Sequence, residues 1–285
     1  MNYRTGAVQS ADGTSVRHRV IGDQGPPIVL VHGGLQAAQN FQRLAEHLSR
    51  RFTVYVPDRR GRRPALPAGE GYGLAREGQD LEALIRTVGA RHLFGLSSGA
   101  TIALYTALEY PGIEKVALYE PPLTIDGADP AWWVPRYARA LAAGKPALAL
   151  AEIVKGTGGQ EYWTRLPRFV LVSLLRVAIE IEARTVSGDD IAIKDLIPTM
   201  RLDSTVQRES ITLVNSRISE LGSEVLLIGG EKSAGALRCG LDSIAQRLPD
   251  AQRVELKGVG HIAADNRGAP ETVARRLDQF FTTEA

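Results

Sequence analysis

Two kinds of hydrophobic spacing alternate along most of this chain. Ile28-Val29-Leu30-Val31 is an unbroken aliphatic run closed by His32-Gly33-Gly34, as expected of a strand buried on both faces of a parallel sheet. Short apolar stretches at 52–56, 91–94, 116–119 and 224–230 read the same way, and 253–256 supplies a last strand. Residues 14–21 alternate like an early edge strand. Between these runs lie helical spacings. They comprise Phe41, Leu44, Ala45 and Leu48, then Leu81, Leu84, Ile85 and Val88 within 74–88, then helices over 100–108, 237–248 and 271–281. Strands alternating with helices predict an α/β fold, a mostly parallel sheet flanked by helices.

The middle of the chain breaks this rhythm. From 123 to 221 no segment reads as a strand, and helices are expected over 130–143, 146–155 and 166–183. The last of these carries Phe169, Val170, Leu171, Leu174, Leu175, Val177, Ala178 and Ile181. Apolar on most of its surface, it predicts a buried core helix. The expected organisation is a core made of 1–122 and 222–285, with 123–221 as an all-helical insertion roofing the C-terminal edge of the sheet. A separate helical domain is the alternative.

Composition narrows the picture a little further. With 285 residues, 44% of them hydrophobic, 23% charged and a net charge of +2, the chain is ordinary for a globular protein. That charge makes no general case for nucleic acid or an anionic membrane as partner. Cys239 is the single cysteine, which rules out an internal disulfide and any Cys-x-x-Cys metal site. Residues 1–6 show no secretory pattern, and no run approaches the ~18 apolar residues of a membrane span. A cytoplasmic enzyme with a small-molecule substrate is expected, with self-association into a homo-oligomer left open.

The chemistry centres on Gly95-Leu96-Ser97-Ser98-Gly99. This G-x-S-x-G stands where a short strand gives way to an apolar helix. A side chain at either glycine would collide with the neighbouring strand or helix. Ser97 is thereby presented at a helix N-terminus, where free N–H groups stabilise negative charge. A late Gly258-Val259-Gly260-His261 follows the last strand.

The order His32-Gly33-Gly34, Asp58 to Gly61, Gly95 to Gly99 and Gly260-His261 resembles the α/β-hydrolase superfamily, over about 14–122 and 222–283. The insertion resembles that family's helical cap, placed after the strand that follows the nucleophile elbow. The resemblance implies a serine hydrolase with Ser97 as nucleophile and His261 as base, without metal or cofactor. One oxyanion donor would be the backbone N–H of Ser98, and the other that of Gly34, with Leu35 as the alternative. His32 is expected to brace its loop. His18 and His47 read as surface residues.

One position departs from the family pattern. Many members carry the triad aspartate just past the strand equivalent to 224–228, but this chain reads Gly229-Gly230-Glu231-Lys232-Ser233 there. Serine cannot hold an imidazolium by charge. Glu120, at the end of the strand after the elbow helix, is the favoured replacement, with Glu231 and Asp126 as alternatives. Two further features allow two readings each. Arg59, Arg60, Arg62 and Arg63 form either a solvated loop with one arginine on Asp58 or an attractor for acidic substrates. Trp132, Trp133, Tyr137, Tyr162 and Trp163 either line a pocket or form insertion core.

The leading functional expectation is hydrolysis of an ester-type bond, including lactones and thioesters, in a small, mostly apolar substrate. A lyase or cofactor-free haloperoxidase on the same fold, or a binding protein that has lost turnover, are the competing classes.

Overall fold

The computed structural model describes residues 3–123, 131–157 and 161–283. Eight strands form one sheet: β1 (Arg4–Gln9), β2 (Ser15–Ile21), β3 (Pro27–Val31), β4 (Thr53–Pro57), β5 (His92–Leu96), β6 (Lys115–Tyr119), β7 (Glu224–Gly230) and β8 (Gln252–Leu256). Their order is β1-β2-β4-β3-β5-β6-β7-β8, antiparallel at β1–β2 and β2–β4 and parallel elsewhere. The unbroken apolar runs lie where burial on both faces demands them, and β6 is buried along its whole length. The alternating segment is not an edge: β1, largely exposed, covers β2. Its polar sequence gave no alternation to read.

Helices α1 (Gln42–Leu48), α2 (Leu74–Val88), α3 (Ser98–Glu109), α10 (Gly235–Arg247) and α11 (Pro270–Thr282) flank the sheet. Two apolar layers result. One packs α2, α3 and α10 against residues such as Val29, Leu93 and Leu118. The other packs α1 and α11 against Leu30, Phe94 and Ile228.

Between β6 and β7 the described elements are helical: α4 (Val134–Ala142), α5 (Pro146–Gly156), α6 (Glu161–Arg165), α7 (Arg168–Thr185), α8 (Ile193–Leu196) and α9 (Met200–Arg217). Trp133, Tyr137, Leu150, Ile153 and Ile179 form their common core. Among the described residues, no helix is long and apolar enough to cross a membrane.

The expectation that α7 is buried is corrected. Only Leu171 and Ile179 are buried on it, while Phe169 is 75% exposed and Val177 and Ile181 58% each. α7 packs one stripe on α5 and α8, with Val172 and Leu175 partly buried against the insertion core, and leaves Phe169, Leu174, Val177 and Ile181 exposed. A pair of variants tests this asymmetry by thermal or urea denaturation. Leu171→Ala should lose about 2–5 kcal/mol, as buried leucines do. Val177→Ser should stay within about 0.5 kcal/mol of wild type, as exposed substitutions do.

Candidate active site

The turn between β5 and α3 is tight because its glycines admit neighbouring backbone. A Cβ on Gly95 would lie 2.4 Å from Gly99 O, and one on Gly99 would lie 2.3 Å from Val31 O. Ser97, between them, has φ 55° and ψ −125°, a region that costs a non-glycine residue of order 1–3 kcal/mol. Its N–H donates to Tyr119 O at 2.8 Å. Ser98 follows as the first residue of α3, so its N–H has no intrahelical partner.

Among the described residues, three that are not glycine have positive φ: Leu35, Ser97 and Glu120. All three belong to this site. Leu35 sits in the loop after β3, where Gly33 N–H donates to Gln36 Oε1 at 2.8 Å. Glu120 ends β6, its N–H donating to Ile228 O at 3.1 Å. Its carboxylate is wholly buried.

That carboxylate has two partners. Oε1 accepts the Gly230 N–H at 2.7 Å, and Oε2 lies 2.7 Å from His261 Nδ1. An ionised carboxylate has no proton to give, so Nδ1–H is the donor and Nε2 is left as the basic nitrogen. The loop carrying His261 is held by the Tyr119 hydroxyl, which donates to Gly260 O at 2.8 Å. Gly230 lets that loop approach, since a Cβ there would lie 2.6 Å from Val259 O.

Ser97 and His261 line one cavity of about 330 Å³, together with Gly33, Gly34 and Leu35. No hydrogen bond joins Ser97 Oγ to His261; such contacts are often long in unliganded sites. The insertion contributes Ile153, Val154, Trp163, Ile193 and Met200 to the wall, and Asn40, Asp265 and Arg267 supply polar atoms. A larger cleft, about 680 Å³, lies between 61–68 and 183–202 and includes none of Ser97, Glu120 or His261.

The other acid candidates are placed elsewhere. Glu231 is exposed and accepts the Gly258 N–H at 2.7 Å. Asp126 lies outside the described residues. Ser233 is buried, and its hydroxyl has no hydrogen-bond partner. His32 is fully buried, with Nδ1 3.0 Å from Gly33 O. Burial, reinforced by Arg62 and Arg59, pushes its pKa well below the ordinary histidine value and keeps it neutral. His18 is buried on β2, contrary to the surface reading, because β1 covers that strand.

The arginine cluster answers to neither reading as a whole. Arg63 pairs with Asp58 as expected, but Arg59, Arg60 and Arg62 are buried. Arg60 joins Asp80 and Asp12. Arg59 binds Glu77 at 3.0 Å and Asp203 at 2.8 Å, and Arg62 binds Asp203 at 2.8 Å. The buried charges are therefore all partnered, and breaking such a pair typically costs about 3–5 kcal/mol. The aromatics divide as well. Trp133 and Tyr137 stack edge-on at 5.6 Å inside the insertion, Trp163 lines the cavity and Trp132 is exposed.

Asp203 and Gln36 are site neighbours that the sequence did not announce. Burial alone would raise the pKa of Asp203, but Arg62, Arg59 and the Ser98 hydroxyl outweigh it and hold the carboxyl at about 2. A carboxyl depressed in the folded state stabilises the fold fully above its unfolded pKa and loses that contribution as pH falls through the folded value. Denaturation midpoints measured from pH 5 down to 2 should therefore drop, and Asp203→Asn should flatten the lower part of that profile.

The chain matches the sequence profile of the alpha/beta hydrolase family over residues 28–276. An uncharacterized hydrolase of Bacillus subtilis, YraK, is 33% identical over 129 residues, 44% of this chain and 47% of that protein. An N-formylmaleamate deformylase of Pseudomonas putida is 31% identical over 129 residues, 44% and 48% of the two chains. The matched stretch thus spans about half the length of these curated relatives. The crystal structure of an alpha/beta hydrolase from Sphaerobacter thermophilus superposes with a TM-score of 0.77 at 28% identity, covering 97% of this chain and 100% of that one. The profile takes in every strand from β3 to β8 and the whole of the Ser97, Glu120 and His261 constellation, and on that extent the chain belongs to the alpha/beta hydrolase family.

Proposed function

We propose that the protein is a serine hydrolase acting on an ester-type bond of a small, mostly apolar substrate. The observation that carries this reading is the His261–Glu120 pair at 2.7 Å, opening on the same cavity as Ser97. Ser97 Oγ attacks the carbonyl carbon while His261 Nε2 takes its proton. Glu120 holds the imidazole in the required tautomer and stabilises its charged form. The backbone N–H groups of Ser98 and Gly34, with Leu35 beside it, receive the developing oxyanion. His261 then returns its proton to the leaving group, and water repeats the sequence on the acyl-enzyme.

Residues 123–221 serve as the cap in this reading. Leu35, Ile153, Val154, Ile193 and Met200 support an apolar acyl or alcohol portion. A second reading of the substrate is favoured by Arg267, which lines the cavity and has no ion-pair partner among the described residues. It would receive a substrate carboxylate. Similarity to a deformylase brings C–N bonds into the test. Turnover should be screened on short esters, lactones, thioesters and amides, each with and without a terminal carboxylate. Hydrolysis of a small ester is expected, and absence of turnover in every class would overturn the reading.

A further inference from the structure

The Ser98 hydroxyl has no part in the turn that presents Ser97, yet it is buried and doubly bonded. It donates to Asp203 Oδ1 at 2.7 Å and accepts from Arg59 Nη1 at 3.0 Å. Asp203 belongs to α9, in the insertion, 105 positions along the chain from Ser98. A hydroxyl with both a charged donor and a charged acceptor has one orientation open to it, and its backbone is the first peptide of α3.

The same carboxylate reaches the other side of the site. Arg59 Nη1, 2.8 Å from Asp203 Oδ1, also donates to His32 O at 3.2 Å. Arg62 Nη2 donates to both Asp203 oxygens, at 2.9 and 2.8 Å, while its Nε donates to Gln36 O at 3.1 Å. The carbonyls at the two ends of segment 33–35 are therefore fixed by guanidiniums that Asp203 organises. Met200, one turn earlier on α9, fills the space beside Gly34, where a Cβ would lie 2.7 Å from its Sδ. Glu77, which accepts from Arg59 at 3.0 Å, leaves the four buried charges balanced.

We infer that Asp203 is a positioning residue that aligns both donors of the oxyanion site, through the Ser98 hydroxyl on one side and through Arg59 and Arg62 on the other. This rests on the assignment of Ser97 as nucleophile. Oxyanion stabilisation depends on donors already in place when charge develops, so an insertion helix that locks both donors acts on the rate constant rather than on substrate binding. A staple that merely held the insertion to the sheet would do neither selectively.

The test compares wild type, Ser98→Ala, Asp203→Asn and the double variant on a p-nitrophenyl ester. It also measures inhibition by phenylboronic acid, whose tetrahedral adduct with the serine needs the same donors. Ser98→Ala should lower kcat about tenfold, well short of the ~10²–10³ for complete loss of a donor, and leave KM within about twofold. The boronate Ki should rise by the same factor as kcat falls. Asp203→Asn should lose more, and the double variant should be no worse than Asp203→Asn, because both changes cut one chain of contacts. Circular dichroism reports folding; if Asp203→Asn does not fold, Ser98→Ala decides alone. Wild-type kcat and Ki in Ser98→Ala, or a fall in kcat with Ki unchanged, would overturn the inference. Failure of the underlying assignment looks different: Ser97→Ala would keep its turnover.

Discussion

Ser97→Ala is expected to abolish turnover on every substrate the wild type accepts, by about 10⁶-fold where a residual rate is measurable. Its stability should hardly change. Ser97 Oγ makes no hydrogen bond that the variant would lose, and alanine meets the same backbone cost at φ 55° as serine does. Melting temperature and kcat measured on one preparation separate the two effects. Turnover retained in the variant would place the chemistry elsewhere.

Glu120→Gln is expected to lower kcat by about 10⁴-fold, the size of loss seen when a triad acid is neutralised in place. The geometry explains why an isosteric change should be so damaging. One carboxylate oxygen accepts the Gly230 N–H and the other faces His261 Nδ1. Glutamine has a single acceptor oxygen. Given to Gly230, it leaves the amide NH₂ against Nδ1, which fixes the imidazole in the wrong tautomer for accepting a proton from Ser97. Given to His261, it sets NH₂ against the Gly230 N–H, two donors facing each other in a buried site. Ser233→Asp in the Glu120→Gln background should restore part of the rate by returning a carboxylate to the position many family members use. A near-wild-type rate in Glu120→Gln would remove Glu120 from the mechanism.

The parts of this molecule legible in the sequence are those whose cause is local. Ile28–Val31 and 225–228 are unbroken apolar runs because both faces of β3 and β7 are covered there. Gly95 and Gly99 are small because backbone passes within 2.4 Å of where their Cβ atoms would be. Glu120 stands out only through the family resemblance: the usual aspartate is missing near Ser233, and the family allows an acid at the end of the strand after the elbow helix.

What escaped was non-local. α9 gives little helical signal because its buried side mixes polar and apolar residues: Asp203, Ser204, Gln207 and Ser210 turn inward beside Met200, Leu202 and Val206. Asp203 can turn inward only because Arg59 and Arg62 meet it there, 144 and 141 positions away in sequence. Read alone, each half looks like solvent-facing charge. The error on α7 has the opposite sign. Composition alone puts this apolar helix in the core, but burial depends on what packs against it, and α5 and α8 cover only one stripe.

Covalent labelling by a fluorophosphonate, followed by peptide mass mapping, tests the central claim most directly. An activated serine reacts; an idle one does not. Wild type should carry one phosphonyl group on Ser97, with the rate of labelling falling by orders of magnitude in His261→Ala and Glu120→Gln. An unlabelled wild-type protein, a label on another residue, or equal labelling rates in all three proteins would contradict it.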